Sequence, residues 1–447
     1  MVVVLLGVLH PKGYGLALAL GGATPIGAAL VLGAVALPTF YAVAVGAAVG
    51  IVLRHLQRVR WSPGVVLAPV PGARPLVLLV VVGVLVTLIA PMVFDGLPVL
   101  SPGGEGNRLM AGVLTKSNIA QIVYVILSVC VVVFLARSKS IGPEVVGIAA
   151  ITTTTLSLWA WTHQVAGVPF PEGLFDNSPA FTFQNTFPGG APRVRGILSE
   201  PAGLAASSLI TIAYTASRLR SVQGLRRLLL LLALAAAVLL GCVSTSATFF
   251  VAGVALAAIA LAVAASRFVL NGGSLSRSTT LIVCTAAIAA LWLLPWSANF
   301  IGAIVDEKVG SNSYDDRSGS DAFSLTLLVD TLGLGTGLGS NRASSFAASL
   351  LSTVGIIGAL LLATAIWVLV RDTWPVPLVR PVTWALIAQL LVKVISGPDL
   401  ADTSGILWLS LGVLAHAATA ARARAALAPD APFLKTPTTR GSASDVA

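Results

Sequence analysis

The residues best suited to chemistry lie in one short stretch, Arg193-Val-Arg-Gly-Ile-Leu-Ser-Glu-Pro201, directly before an apolar run. Pro201 suits the first turn of a helix, where its missing N–H group is tolerated. The N-terminus of a helix favours anions, and guanidinium groups bind phosphate oxygens through paired hydrogen bonds. Arg193 and Arg195 therefore indicate a diphosphate site, beside which Glu200 could orient or deprotonate a hydroxyl group.

The same stretch also has a simpler structural interpretation. Ser199 or Glu200 would cap the helix, and Pro201 would begin it. Arginines at a membrane interface would then contact lipid headgroups instead of a substrate. Both interpretations place a helix start here, and they differ in what the charged side chains bind.

A second polar segment, residues 299–345, carries further candidates for anion binding. Arg317 and Arg342 are the best of them, because guanidinium groups match phosphate geometry. Glycines alternate with other residues from Gly333 to Gly339, which predicts a tight loop with close backbone approach. No strand precedes these glycines, so a dinucleotide-binding fold is excluded.

The acidic and amide side chains of this segment allow several interpretations. Asp316, Asp321 and Asn341 are candidate substrate contacts, and either acid could replace Glu200 as a base. With Asp315, the two acids could instead bind a divalent cation or form a solvated face. The chain has only 4 histidines, which are scattered, so a histidine-rich metal site is not supported. We favour the solvated face for the acids and therefore expect neither a metal site nor a cofactor.

The composition is that of a membrane protein. Of the 447 residues, 56% are hydrophobic and 10% are charged, whereas a soluble domain carries about 25% charge. The apolar runs are long and show no two-residue alternation, which favours helices over a barrel. The predicted fold class is therefore all-α, a polytopic transmembrane helical bundle with two large extracytoplasmic loops, at residues 163–200 and 299–345.

We predict about twelve spans, because a helix needs about 17–25 residues to cross a bilayer. They lie at residues 14–35, 37–53, 76–94, 118–136, 145–162, 201–217, 228–243, 247–266, 279–298, 346–370, 381–396 and 404–420. Residues 1–420 would thus form the membrane-embedded domain. Residues 421–447, rich in Ala, Pro, Ser and Thr, would form a disordered cytoplasmic tail.

The distribution of basic residues predicts the orientation. With the N-terminus in the cytoplasm, most of the 27 Lys and Arg residues lie in inner loops, as the positive-inside rule requires. The loops at 163–200 and 299–345 then face outward. The net charge of +10 is therefore a topology signal and not a sign of nucleic-acid binding.

One basic residue is predicted to lie within a span. Lys393 falls near the outer end of the eleventh predicted span. Ionisable residues in spans are rare and usually have a nearby partner. We therefore expect Lys393 to extend towards Asp399 or Asp402 and form a local ion pair.

Several motifs resemble the O-antigen ligase/polymerase family in their residues, their order along the chain and the side of the membrane on which they are predicted to lie. Arg195-Gly196-x-x-x-Glu200-Pro201 enters a helix after a long outer loop. The run Leu334-Gly-Thr-Gly-Leu-Gly-Ser-Asn-Arg-Ala-Ser344, followed by Leu351-Ser-Thr-Val-Gly-Ile-Ile-Gly358, is similar to the second outer loop and next span of the polymerase branch. Thr115-Lys-Ser-Asn-Ile-Ala-Gln121 and Ser244-Thr-Ser246 also fit.

The resemblance implies a metal-independent, inverting glycosyltransferase in the bacterial cytoplasmic (inner) membrane. It would polymerise undecaprenyl-diphosphate-linked repeat units into O-antigen, capsule or exopolysaccharide at the outer, periplasmic face. Arg193, Arg195, Arg317 and Arg342 would stabilise the charge that grows on the leaving phosphate, and Glu200 would be the base or the group that orients the acceptor. The bilayer, a chain-length regulator and a flippase are the further partners implied.

Two alternatives remain open at the level of sequence. Ligases of this family generally carry a histidine in the second large outer loop, and residues 299–345 contain none, which favours a polymerase. A secondary transporter or lipid-linked sugar flippase is the alternative from another class. Transporters often show repeated halves and charges near mid-membrane, but here the charges lie mostly at span ends and no repeat is evident.

Overall fold

The structure, a computed structural model, describes residues 11–33, 35–61, 68–100, 106–138, 141–179, 194–270 and 312–427. The α-helices are α1 (Pro11–Gly22), α2 (Thr39–Trp61), α3 (Ala73–Val93), α4 (Lys116–Ala136), α5 (Glu144–Ala166), α6 (Pro201–Arg218), α7 (Gly224–Val243), α8 (Ala247–Leu270), α9 (Asn312–Asp330), α10 (Phe346–Thr373), α11 (Arg380–Ile395) and α12 (Ile406–Leu427). Two short hairpins pair β1 (Ala28–Leu32) with β2 (Val35–Pro38) and β3 (Pro98–Leu100) with β4 (Gly106–Arg108), both antiparallel.

In these described ranges, 9 helices are long and apolar enough to cross a membrane. They are all the helices except α1, α6 and α9. Many large apolar side chains on them are exposed, as expected of surfaces that face lipid. The chain is therefore a mostly helical, multi-pass membrane protein.

The first predicted span, residues 14–35, is wrong. The helix α1 ends at Gly22, and the following residues form the β1–β2 hairpin with Leu32 opposite Val35. Two consecutive glycines and then Pro25 weaken a helix at this point. The short apolar run after them suits a strand as well as a helix.

Other predicted boundaries also differ from the structure. The segment 299–345 is not a structureless loop, because it contains the 19-residue helix α9. Helix α12 continues to Leu427, beyond the predicted start of the tail at 421. The predicted span 279–298 and the rest of the tail, residues 428–447, lie outside the described residues.

The core of the bundle surrounds α12 and α6. Helix α12 packs against α4, α10 and α11, and its Trp408 is fully buried, with the indole N–H donating to the Leu400 carbonyl at 3.3 Å. Helix α6 packs against α5, α7, α8 and α11. Because α6 begins with Pro201, this packing fixes the position of Glu200 relative to α11 and to the start of α12.

One end of the bundle gathers the segments predicted to be cytoplasmic. Arg218 pairs with Glu144 at 2.8 Å, joining the end of α6 to the start of α5. The Arg422 Nε donates to Asp372 at 3.0 Å. We call this end the basic end, and the opposite end, which carries Glu200, the site end.

Helix α10 is broken at Gly355, and a buried loop fills the break. Gly355 has φ +68° within the helix. The carbonyls of Ser352 and Thr353 therefore lack their helical donors, and they accept from the backbone N–H groups of Thr336 at 2.8 Å and Gly337 at 2.9 Å. The loop, residues 333–340, is called the glycine loop below. Non-helical backbone at membrane depth is tolerated where it is buried in protein, as it is here.

The glycine loop is as tightly packed as its sequence predicts. Gly335 has φ +89°, and a Cβ atom there would lie 2.6 Å from the Thr353 carbonyl oxygen. On the other side of the loop, the Asn118 amide donates to Leu338 O at 2.7 Å and to Ser340 Oγ at 2.9 Å. The predicted close backbone approach is confirmed. The loop N–H groups that bond within the protein are not free to hold a phosphate.

Candidate functional site

Glu200 lies at the site end of the bundle, at the start of α6. It is the N-cap residue of α6, with an extended backbone (φ −147°, ψ 159°), and Pro201 follows it. Its side chain makes no capping hydrogen bond. The carboxylate instead lies 3.5 Å from Arg317 Nη2, and both side chains are partly exposed. Helix α9 and the start of α6 are thus brought together, although they are far apart in the sequence.

Arg195 lies nearby, and its guanidinium is hydrogen-bonded to other groups of the protein. Its guanidinium donates to Asp176 Oδ2 at 3.0 Å and to the Leu198 carbonyl at 2.9 Å. The side chains of the pair are 13% and 18% exposed. Because these bonds brace the turn that leads into α6, Arg195 acts first as a positioning residue for Glu200.

Arg342 extends the site end towards the start of α12. Its side chain lies 3.6 Å from Asp399, and both are about two-fifths exposed. Its backbone N–H donates to Leu100 O at 3.0 Å, so β3 fixes the chain at this point. A guanidinium at this exposure is accessible to an anion from solution.

The ion pair predicted for Lys393 is not formed. Its Nζ donates to the backbone carbonyl of Asp399 at 2.8 Å and lies 5.2 Å from the centre of the Phe346 ring. The Asp399 carboxylate turns towards Arg342. The Asp402 carboxylate is hydrogen-bonded elsewhere, because its Oδ1 accepts from both the backbone N–H and the hydroxyl of Ser404.

A cavity of about 180 Å³ lies between α6, α11 and the segment 396–406. Glu200, 34% exposed, lies on its open side. Four other polar residues of the lining are buried: Ser207, Gln389, Lys393 and Asp402 are 6% to 9% exposed. The Gln389 amide donates to Asp402 Oδ2 at 3.0 Å. A carboxylate at the mouth and polar groups beneath it can bind and orient a hydroxylated molecule.

Two predicted substrate contacts are engaged in structural hydrogen bonds. Asn341 is 4% exposed, and its amide donates to Ser324 and Ser352, both at 2.9 Å, while its oxygen accepts from Leu100 N–H at 3.0 Å. Asp321 Oδ1 accepts from the N–H groups of Ser344 and Ser345, at 2.7 and 2.9 Å. We therefore assign both to holding the glycine loop and the start of α10.

The remaining predicted residues have no described side chains. Arg193 lies outside the described residues, and Asp316 lies in α9 with its side chain outside the described part. Sequence reasoning missed Ser207 and Gln389 as cavity residues. A serine within an apolar helix gives little signal on its own, because its hydroxyl also bonds to the helix backbone. A single glutamine forms no motif from which a site could be predicted.

Comparison with known proteins adds no assignment. Neither a protein-family model nor a curated protein matches the sequence. What the geometry defines is a class: a multi-pass helical membrane protein with a carboxylate and arginine pair at the mouth of a cavity that is lined by both polar and apolar groups. The particular activity is therefore argued below from the residues of the site.

Proposed function

We propose that the chain polymerises lipid-diphosphate-linked oligosaccharide repeat units, as the family resemblance of its motifs implies. The observation that carries the proposal is the contact between Glu200 and Arg317 at the mouth of the cavity. A glycosyl transfer from a diphosphate needs a group that takes the acceptor proton and a cation that stabilises the leaving phosphate. This pair supplies both types of group next to a cavity whose lining includes several polar side chains.

In the proposed step, an acceptor sugar hydroxyl attacks C1 of the donor sugar. The O–C1 bond forms while the bond from C1 to the diphosphate oxygen breaks, and the electron pair leaves with the lipid diphosphate. The hydroxyl proton passes to the Glu200 carboxylate. Arg317 stabilises the negative charge that grows on the leaving oxygen, and attack from the opposite face inverts C1.

The other arginines have separate roles in this proposal. Arg342, partly exposed beside Asp399, contacts the donor diphosphate. Arg195 keeps the turn before α6 in place, and Arg193 is assigned to phosphate binding on sequence alone. The site end faces outward in this proposal, because the segments with most of the basic residues lie at the opposite end.

The test compares two carboxylates that each stand at the N-terminal end of a helix and pair with an arginine. Glu200→Gln removes the proposed base, and Glu144→Gln removes the partner of Arg218 at the basic end. With purified protein and native lipid-linked repeat units, we expect wild type and Glu144→Gln to make a ladder of longer glycans. Glu200→Gln should be slower by about 10²–10⁴-fold. Equal activity of Glu200→Gln and wild type would remove Glu200 from the mechanism.

Two observations favour a transporter or flippase as the second candidate. The broken helix α10 and the buried Lys393 are features that transporters also show. Reconstitution in liposomes separates the two classes. Movement of lipid-linked glycan across the bilayer without any ladder would favour the flippase, whereas transfer onto a lipid A core acceptor in place of a repeat unit would favour the ligase.

A further inference from the structure

Lys393 is a buried cation whose hydrogen-bonding capacity is only partly used. Its side chain carries three N–H donors, and the residue is 6% exposed. Within the described residues, it makes one hydrogen bond, to the Asp399 carbonyl, and lies 5.2 Å from the centre of the Phe346 ring, and no carboxylate lies at ion-pair distance. Burying a charged group with unmet donors is unfavourable. Because Lys393 lines the cavity, its remaining donors are available to a molecule bound there.

Ser207 provides a second group of the same kind. It is 7% exposed, lines the cavity, and its hydroxyl has no hydrogen-bond partner among the described residues. Gln389, also in the lining, uses its amide nitrogen towards Asp402, which leaves its carbonyl oxygen as an acceptor. The walls of the cavity thus offer both donors and acceptors at several separate points.

The charge and size of the cavity restrict what it can bind. Glu200 and Asp402 contribute two carboxylates against the single ammonium of Lys393. A phosphate or a sugar acid would therefore be repelled, since like charges at close range are unfavourable. The volume of about 180 Å³ is close to the ~150 Å³ of a cavity that holds one benzene ring. A single ring with hydroxyl groups fits these limits.

We propose that this cavity is a binding subsite for one uncharged sugar ring, held by Lys393, Ser207 and Gln389. The inference rests on the proposed function and deepens it, because it makes this ring the acceptor sugar. A ring in the cavity presents a hydroxyl to Glu200 at the mouth. The diphosphate of the donor stays outside, at Arg317 and Arg342.

The helix α6 offers a matched pair of variants for the test. Ser207 and the adjacent Ser208 are both buried serines whose hydroxyls have no partner among the described residues, but only Ser207 lines the cavity. We would measure binding to the detergent-purified full chain by saturation-transfer NMR. The probes are a panel of neutral methyl hexopyranosides, the matching methyl hexuronides, and inorganic pyrophosphate.

We expect at least one neutral glycoside to bind wild type, with no comparable binding of the hexuronides. Ser207→Ala should weaken this binding by about two- to tenfold, the effect of one hydrogen bond, and Ser208→Ala should leave it unchanged. Lys393→Met should weaken it by about ten- to a hundredfold, since its bonds come from a charged donor. If Lys393→Met does not fold, the two serine variants still decide the question.

The proposal is overturned if no neutral glycoside binds, or if both serine variants behave alike. It is also overturned if a hexuronide or pyrophosphate competes for the cavity as well as the neutral sugars. Binding needs no catalysis, so this result is separate from that of the polymerase assay. A ladder unaffected by Ser207→Ala and Lys393→Met would remove the subsite and leave the polymerase. If a neutral glycoside binds and Ser207→Ala alone of the two serine variants weakens it, but no ladder forms, the subsite stands and the polymerase function is removed.

Discussion

The glycine loop is the element whose perturbation should be most informative, because it fixes α10 and the chain that leads to Arg342. Gly335→Ala places a methyl group 2.6 Å from the Thr353 carbonyl oxygen and 2.7 Å from the Gly355 nitrogen. Both neighbours are backbone atoms that cannot rotate away. The residue also has φ +89°, a conformation that disfavours any side chain.

The expected loss in free energy of unfolding has two parts, one from backbone conformation and one from steric overlap, and a control variant separates them. Gly96 has a similar φ of +78°, and a Cβ there would meet nothing within 4 Å. Gly96→Ala should therefore lower the free energy of unfolding by about 1–2 kcal/mol, for conformation alone. Gly335→Ala adds the steric overlap, about 1–3 kcal/mol, so its total should be about 2–5 kcal/mol.

The assay is unfolding of the purified protein by SDS in mixed micelles, followed by circular dichroism. The quantity compared is the change in the free energy of unfolding relative to wild type. If Gly335→Ala were no more destabilising than Gly96→Ala, the close approach of the glycine loop to the break in α10 would be refuted. In a separate assay, the yield of longer glycans made by folded Gly335→Ala protein would show whether the glycine loop also positions Arg342.

Two further predictions separate structural from functional charges at the site end. Arg195→Ala should lower the free energy of unfolding by about 1.5–3 kcal/mol, as expected for the loss of a hydrogen bond from a charged donor in a largely buried pair. Arg317→Ala should change the free energy of unfolding by less than about 1 kcal/mol, because its ion pair is exposed. SDS unfolding of both variants checks this, and equal changes would contradict the assignment. Asp321→Ala should cost about 1–3 kcal/mol by leaving two backbone N–H groups without an acceptor. Asp330→Ala, on the exposed end of the same helix, should stay within about 0.5 kcal/mol, and the reverse order would refute the role of Asp321.

Much of the helical framework follows from the sequence for a simple reason. Long apolar runs such as those of α3 and α4 show no two-residue alternation, so in a membrane they satisfy their backbone as helices and not as strands of a barrel. The predicted spans 228–243 and 247–266 leave a break at Ser244-Thr245-Ser246, and the structure has one there, with Thr245 at φ +48°. The β1–β2 hairpin was not, because a short apolar run after two glycines has no periodicity that separates strand from helix.

The candidate site was only partly predictable from sequence. Local chemistry placed Glu200 before Pro201 at a helix start, as the structure has it. Asn341 instead uses both amide protons within the protein, which depends on tertiary contacts that no local pattern contains. Lys393 was singled out as a charge in an apolar helix, but its partner is a backbone carbonyl. Carbonyls leave no signature in a sequence.

The contrast between Arg195 and Arg317 has a consequence for the order of events in the proposed reaction. Arg317 is held to Glu200 only by a partly exposed pair at 3.5 Å, and such pairs contribute about 0–1 kcal/mol. A donor diphosphate can therefore displace the Glu200 carboxylate from Arg317 with little loss of free energy. The displaced Glu200 is then available to the acceptor hydroxyl, while Arg195 keeps the helix start in place. Donor binding would thus prepare the base, and the acceptor would react second.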